Sequence, residues 1–546
     1  MNNEQRTMNY QPSTPLTISS QFISKTQLKP WYWRSLPLEG RTGSVVFAAL
    51  FHRSTSAVAT LLESPYPTPS DQPQLARYSI CAGAPRVVNG CPQLWTPPIG
   101  EVLPFLRHLL ERSSNQPSAL SSQLSDEAKS LPFTGGWLGW LGYDFAWEIE
   151  RLPRLKSEEL PFPVAFWYEP ECFAVLDHWK QILWLATTEP EQLDSLQKRL
   201  EGGAGELLSR GARAQGGRGA LSGAGGLLSR GAEENVSAER VPMQSSTSLS
   251  PLLPIAPAPH LKNSRFLTSQ ADYEAAVCRA KKYIQAGDIF QANLSLRFEA
   301  HTPASGWTIY RALQQINPSP FASYWQTPWG TVISCSPERL VQLKRRQATT
   351  RPIAGTRSRG ATPACDQQLA QELIANAKER AEHIMLVDLE RNDLGRVCEW
   401  GSVAVNELLT IERYSHVMHL VSNITGTLRF DGNAVDLIRA MFPGGTITGC
   451  PKIRCMEIIE ELEPVRRSLF YGSCGYLDWR GHLDLNILIR TLLLAPSSSQ
   501  DAPDGTSKVW GQVGAGIVAD SAPEREWYES LHKAQAQLAA LNKAVG

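Results

Sequence analysis

At 546 residues the chain can bury one large core or two, and its 53 Lys plus Arg are balanced by 53 Asp plus Glu. That balance excludes a general attraction to nucleic acid or to an anionic membrane, so any basic site has to be local. No apolar run is long enough to span a bilayer, no signal-peptide pattern is present, and the ten cysteines are scattered without a C-x-x-C pair. These features point to a reduced cytoplasmic protein without structural zinc.

In chain order, residues 1–29 are polar and read as a loose N-terminal tail. Residues 30–200 alternate short apolar runs with turns. Residues 45–51 and 57–62 read as strands, 101–111 as a helix, and 173–177 with 181–186 as a strand pair. Gly135-Gly-Trp-Leu-Gly-Trp-Leu-Gly-Tyr-Asp144 mixes glycine with aromatics and suits a strand edge approached by another backbone. Without G-x-G-x-x-G or G-K-[ST] it is not read as a nucleotide loop.

Residues 201–262 change character. Gly203-Ala-Gly-Glu-Leu-Leu-Ser-Arg-Gly-Ala212 recurs as Gly223-Ala-Gly-Gly-Leu-Leu-Ser-Arg-Gly-Ala232. Two copies are too few for a solenoid, so the segment reads as an inserted low-complexity linker. The region 263–546 is compositionally globular again. Residues 270–285, 307–316, 367–388 and 524–541 read as helices, and 288–298, 321–325, 330–335, 475–477, 485–494 and 509–518 as strands. Without a regular βαβ rhythm, the fold class expected is α+β with largely antiparallel sheets packed with helices.

The stretch Phe442-Pro-Gly-Gly-Thr-Ile-Thr-Gly-Cys-Pro-Lys-Ile-Arg-Cys-Met-Glu457 reads as a strand end, a glycine-rich turn and a helix opened by Pro451. Lys452 and Arg454 in the first helical turn oppose the helix dipole, a conflict that a bound anion would remove. The alternative is a surface turn with two solvated cations. Three further features converge with it on an anionic, metal-assisted site. Glu379 and Glu382 are three apart on one helix, as are Glu526 and Glu529 on another. Gly514-Ala-Gly516 follows a strand and can expose N–H groups. Two carboxylates from distant helices plus substrate oxygens suit Mg²⁺, although glutamates at such spacing are more often a solvated face. Arg490 lies among apolar residues and needs an anionic partner. His419 by itself reads more readily as a core histidine.

Taken together, Ser336-Pro-Glu-Arg339, Pro352-Ile-Ala-Gly-Thr356, Glu379-Arg-Ala-Glu-His383, Asp388-Leu-Glu-Arg-Asn-Asp393, His419-Leu-Val-Ser422, the stretch 442–457 and Gly514-Ala-Gly-Ile-Val-Ala-Asp-Ser521 resemble the chorismate-utilising enzymes. The family includes component I of anthranilate synthase and of aminodeoxychorismate synthase, and its isochorismate and salicylate synthases. The match covers about residues 265–542, and Leu61-Leu-Glu-Ser64 with Ala76-Arg-Tyr-Ser79 resemble the family's N-terminal motifs; the linker has no counterpart. The resemblance implies Mg²⁺ held by Glu382 and Glu529, Glu338 as the acid that protonates the departing C4 hydroxyl of chorismate, and His419 beside the ring. It implies a substrate-binding set of Gly355, Thr356, Thr446, Arg490, Gly514, Ala515 and Gly516, with Lys452 among the catalytic residues. It also implies a tryptophan pocket around Glu63, Ser64 and Tyr78.

Water-using members carry a lysine base where this chain has Gln291, which points to an amine nucleophile. Asn293-Leu-Ser295, Gly444-Gly-Thr-Ile-Thr-Gly449, Gly472-Ser-Cys-Gly-Tyr476, Asn486-Ile-Leu-Ile-Arg490 and Ala322 resemble the aminodeoxychorismate branch. Ala354, where the best-known enzymes of that branch carry a nucleophilic lysine and some members an alanine, and Tyr414-Ser-His-Val-Met-His419 resemble the anthranilate branch. The expectation is para amination, with ortho amination and loss of pyruvate as the alternative. A non-catalytic subunit that keeps the fold is disfavoured by the intact Glu338, Glu382, Glu529, Lys452 and Arg490. No Cys-His glutaminase signature is present, so a separate glutamine amidotransferase subunit is expected to supply ammonia.

Overall fold

In the computed structural model the alternating stretches assemble into two large sheets, of 12 and 10 strands, with a small hairpin beside them. The structure describes residues 31–52, 57–64, 76–114, 126–157, 160–202, 264–414, 417–497 and 505–545. The N-terminal tail and all but the first two residues of the linker lie outside that set.

Strand pairing is antiparallel, and both sheets cross the linker. In the larger sheet Ala59–Glu63 pairs with Phe321–Thr327, in register Ala322 to Glu63. In the smaller one Gly136–Leu141 pairs with Ser473–Asp478. The segments before and after the linker therefore share their hydrogen-bond ladders. The larger sheet buries both faces. Along Phe321–Thr327, Trp325 points into the aromatic core that also holds Trp137, Trp140 and Phe133. Ala322 and Tyr324 point to the other side. There the helices Gln270–Gln285, Gly306–Ile316 and Pro523–Val545 close a second core. Ser269 and Ser305 accept hydrogen bonds from Asp272 N and Thr308 N and cap two of these helices. Among the described residues no helix is long and apolar enough to cross a membrane.

Several elements differ from the sequence expectation. Residues 45–51 form not a strand but the short helix Gly43–Phe47, capped by Thr42 and continued by a π-turn to His52. A short apolar run buried nearly all round carries no period, so the cap decides. The glycine-aromatic segment is an interior strand, not an edge: Gly136–Leu141 is buried throughout and flanked on both sides. The close backbone approach is real, because a Cβ on Gly139 would lie 2.1 Å from Phe166 O. The helix expected over 367–388 is two, Pro363–Ala375 and Ala377–Gly395. Asn376 breaks the run by leaving helical geometry and accepting from Glu379 N. The strand expected over 485–494 is interrupted: Leu483–Asn486 belongs to one sheet, Thr491–Pro496 to the other, and Arg490 sits between them at φ 51°. Phe442 follows a helix, Ala434–Met441, rather than a strand. Of the three glycines after it, Gly449 alone takes positive φ.

Candidate active site

The edge of the larger sheet and the helices beside it enclose a cavity of about 610 Å³. Gln291–Thr302 and Ser507–Ile517 form its floor, with Asn293 opposite Gly516 and Ser295 opposite Gly514. The helix Ala377–Gly395 brings Glu379 and Glu382, and Pro523–Val545 brings Glu526 and Glu529. The strand pair Ile353–Ser358 and Val417–Thr427 supplies Gly355, Thr356 and His419, and Glu338, Thr446 and Arg490 also line it. Glycine is required at 355: its φ is 70° and a Cβ would lie 2.2 Å from Glu379 Oε2.

Of the residues expected from the sequence, Glu338, Gly355, Thr356, Glu382, His419, Thr446, Arg490, Gly514, Gly516 and Glu529 all line this one cavity. Two do not. Lys452 is placed away from it: its ammonium is ion-paired with buried Asp393 and donates to Met441 O at 3.2 Å. Arg454 pairs with Asp288 and Glu457 at 2.9 and 2.8 Å. The cations at that helix start are thus answered by the protein's own carboxylates, which removes the reason to place an anion there. Ala515 turns its side chain into the core on the opposite face, as strand alternation demands between two cavity-lining neighbours.

Burial sets the electrostatics. The Glu338 carboxyl is pushed up to about 8, first by desolvation and then by the nearby Glu390 charge. Glu338 therefore keeps its proton at neutral pH. His419 is pushed down to about 3 by desolvation and by Arg490, so it is a neutral imidazole. Its Nδ1 is 2.9 Å from Thr356 Oγ1, and its buried Nε2 has no protein partner. Arg490 is half-buried, and desolvation lowers it. Its side chain has one weak contact, to Asn317 Oδ1 at 3.4 Å. Among the described residues no carboxylate pairs with it.

Glu529 acts on both Glu382 and Glu526. Burial raises Glu382, with Glu529 adding to the rise, and Glu526 is raised by burial and by Glu529. Arg357 pairs with Glu379 Oε1 at 2.7 Å, leaving Oε2 buried without a hydrogen-bond partner. Among the described residues no three acidic, His or Cys side chains are gathered tightly enough to hold an ion by themselves. Opposed carboxylates with a spare buried oxygen, open toward a ligand, fit Mg²⁺, which takes few protein ligands and completes its shell with water and substrate.

Sequence reasoning passed over Lys533, Gln512, Tyr471 and Lys378, which also line the cavity. Lys533 carried a signal, the helical i,i+4 spacing to Glu529, to which it pairs at 2.9 Å. Gln512 carried none; it is held by Arg297 at 3.0 Å and donates to Ser295 Oγ at 2.7 Å.

A second cavity of about 420 Å³ opens elsewhere, lined by Glu63, Ser64, Tyr78, Trp179, Phe321 and Ala322 among others. The Glu63 carboxylate is taken up by Tyr310 Oη and Ser44 N, both at 2.6 Å. Ser64 Oγ donates to Tyr78 O at 2.7 Å.

Residues 100–539 match the family model described as chorismate binding enzyme. The chain is 55% identical to "Anthranilate synthase component I-like protein" of Synechocystis sp. over 517 residues, 94% of this chain and 93% of that one. It is 41% identical to "Aminodeoxychorismate synthase component 1" of Bacillus subtilis over 75% of this chain and 77% of that one. Among solved structures, anthranilate synthase component I from Streptococcus pneumoniae matches with a TM-score of 0.61 and 29% identity, covering 85% of this chain and 92% of that one.

Proposed function

The chain belongs to the chorismate binding enzyme family, and from that membership we propose that it aminates chorismate at C4, using ammonia delivered by a separate glutamine amidotransferase subunit. The product is 4-amino-4-deoxychorismate.

The observation that carries the choice of nucleophile is Gln291. It lines the cavity where a water-activating base would stand, and its amide donates to Glu382 Oε1 at 2.8 Å. A glutamine cannot deprotonate water, whereas ammonia needs no base to attack. The substrate's charge matches the lining: chorismate carries two carboxylates, and Arg490 is a half-buried cation that no carboxylate pairs with among the described residues. Glu382 and Glu529, with Glu379 and Glu526 beside them, would hold Mg²⁺, which when bound offsets the charge of the ring carboxylate.

Glu338 donates its proton to the C4 hydroxyl, which leaves as water as ammonia's nitrogen bonds to the ring. The new ammonium gives up one proton, which restores Glu338. His419, neutral and fixed by Thr356, turns Nε2 toward the ring without adding charge. The para assignment is supported by the resemblance at Asn293, Thr446 and Arg490, which all line the cavity. Ala354 also lines it and favours a second reading, ortho amination with loss of pyruvate. The second cavity, walled by Tyr78, Trp179 and Phe321, is assigned on the same resemblance to tryptophan.

Incubation with chorismate, Mg²⁺ and ammonium, followed by chromatography with mass detection, separates the readings. The expected product is one that an added aminodeoxychorismate lyase converts to 4-aminobenzoate. Fluorescent anthranilate with an equal amount of pyruvate would establish the ortho reaction instead.

A further inference from the structure

The wall that carries Gln291 holds two oxygen atoms that the reaction as described does not use. Gln291 and Asn293 stand two apart on the strand Gln291–Thr302, and both line the cavity. Residues at that spacing share one face of a strand, about 7 Å apart. Each carboxamide is fixed end for end by what its nitrogen touches. The Gln291 amide nitrogen donates to Glu382 Oε1 at 2.8 Å, and the Asn293 amide nitrogen donates to Thr446 O at 3.4 Å. Carboxylate and carbonyl oxygens accept, so in both side chains the NH2 end is the one engaged. The oxygen ends are left over: Gln291 Oε1 and Asn293 Oδ1 are buried and have no hydrogen-bond partner.

Buried acceptors call for a donor, and the chorismate ring is a poor source of them. Its two carboxylates only accept, so a wall of acceptor oxygens repels them. Its C4 hydroxyl carries a single proton, which can serve one of the two oxygens at most. The reactant rich in donors and free of charge is ammonia, with three N–H bonds and one lone pair.

We propose that Gln291 Oε1 and Asn293 Oδ1 form the binding site of the nucleophile, accepting two N–H bonds of ammonia and leaving its lone pair free for the ring. The lone pair then forms the C–N bond, the C4–O bond breaks with its electrons, and the oxygen leaves as water with the proton of Glu338. Nitrogen gains positive charge as it bonds, so the two acceptors hold it more tightly in the transition state than in the ground state. Glu382, on the NH2 end of the Gln291 amide, polarises that amide and strengthens its oxygen as an acceptor. The facing strand leaves room: Gly516 pairs with Asn293, and a Cβ on it would lie 2.5 Å from Gln291 Nε2. The inference rests on the amination reading and holds for attack at either ring carbon.

The test is Asn293→Ala, which removes one acceptor and within the protein costs only the 3.4 Å bond to Thr446 O. Gln291→Met is the second variant; it also frees Glu382, so it is read at saturating Mg²⁺. For each, kcat/KM for ammonia is measured at fixed pH and saturating chorismate, alongside KM for chorismate and the Mg²⁺ requirement. The expected result is a fall in kcat/KM for ammonia of roughly 3–10-fold per variant, the worth of one hydrogen bond, with KM for chorismate at the parent's value. An unchanged kcat/KM for ammonia overturns the proposal, and so does a KM for chorismate that rises in step. A change in Asn293→Ala confined to the Mg²⁺ requirement also overturns it, and would make the oxygens acceptors for metal-bound water. A parent protein that consumes no chorismate with ammonium refutes the amination reading and the inference together. A parent that aminates, with both variants keeping its ammonia dependence, refutes the inference alone.

Discussion

Glu338→Gln lowers kcat for chorismate by roughly 10²–10⁴-fold, the span a positioned general acid contributes, and changes KM only a few-fold. Hydroxide is a poor leaving group, and Glu338 is the buried carboxyl in the cavity that keeps its proton at neutral pH. Glutamine preserves size and shape, so folding and substrate contacts survive. What is lost is a transferable proton, an interaction made in the transition state, and such a loss appears in kcat. The sign of the pH dependence follows from the raised carboxyl. The parent is active below about pH 8, where Glu338 is protonated, and loses activity as the pH rises through that value. The variant's residual rate should lack this limb. Steady-state kinetics across pH decide it: a loss below ten-fold, or one confined to KM, would remove Glu338 from the role of acid.

Arg490→Met should push function and stability in opposite directions. The side chain is half-buried in the cavity wall, desolvation opposes its charge, and its protein contact among the described residues is a single long bond to Asn317. A desolvated charge without a carboxylate partner gives the free protein little, so replacing it with an apolar side chain of similar length should leave the unfolding midpoint unchanged or slightly raised. Binding suffers, because the substrate carboxylate then enters a buried site without its partner. Truncating one member of a charged pair costs roughly 2–5 kcal/mol, an increase of about 30-fold or more in KM. Calorimetric unfolding together with chorismate titration reads both. A destabilised protein with unchanged KM would mean that Arg490 serves the fold.

The sequence made legible what is periodic, capped or chemically specific. The helix Gln270–Gln285 and the strand pair of Cys172–Asp177 with Ile182–Thr187 announce themselves by spacing. The cavity was legible through motifs because each of Glu338, Gly355, Glu382 and Glu529 is a residue type that the chemistry demands in a particular local frame. What escaped was set by tertiary contact. Asn376 splits a helix because its side chain caps the next one, although nothing in the helical period marks the break. Lys452 looked like an anion ligand because its partner Asp393 is far away in sequence and arrives on another helix. Ala515 was grouped with its neighbours although strand alternation alone puts it on the other face.

The most direct measurement of the central claim is isotopic. The protein is supplied with chorismate and Mg²⁺ in water enriched in heavy oxygen, with ammonium enriched in heavy nitrogen, and the ring product is weighed by mass spectrometry. With Gln291 in place of a base, the product should carry heavy nitrogen and no heavy oxygen on the ring. A ring product that carries solvent oxygen and no nitrogen would contradict the amine reading and show that water is activated by a residue other than the one at position 291.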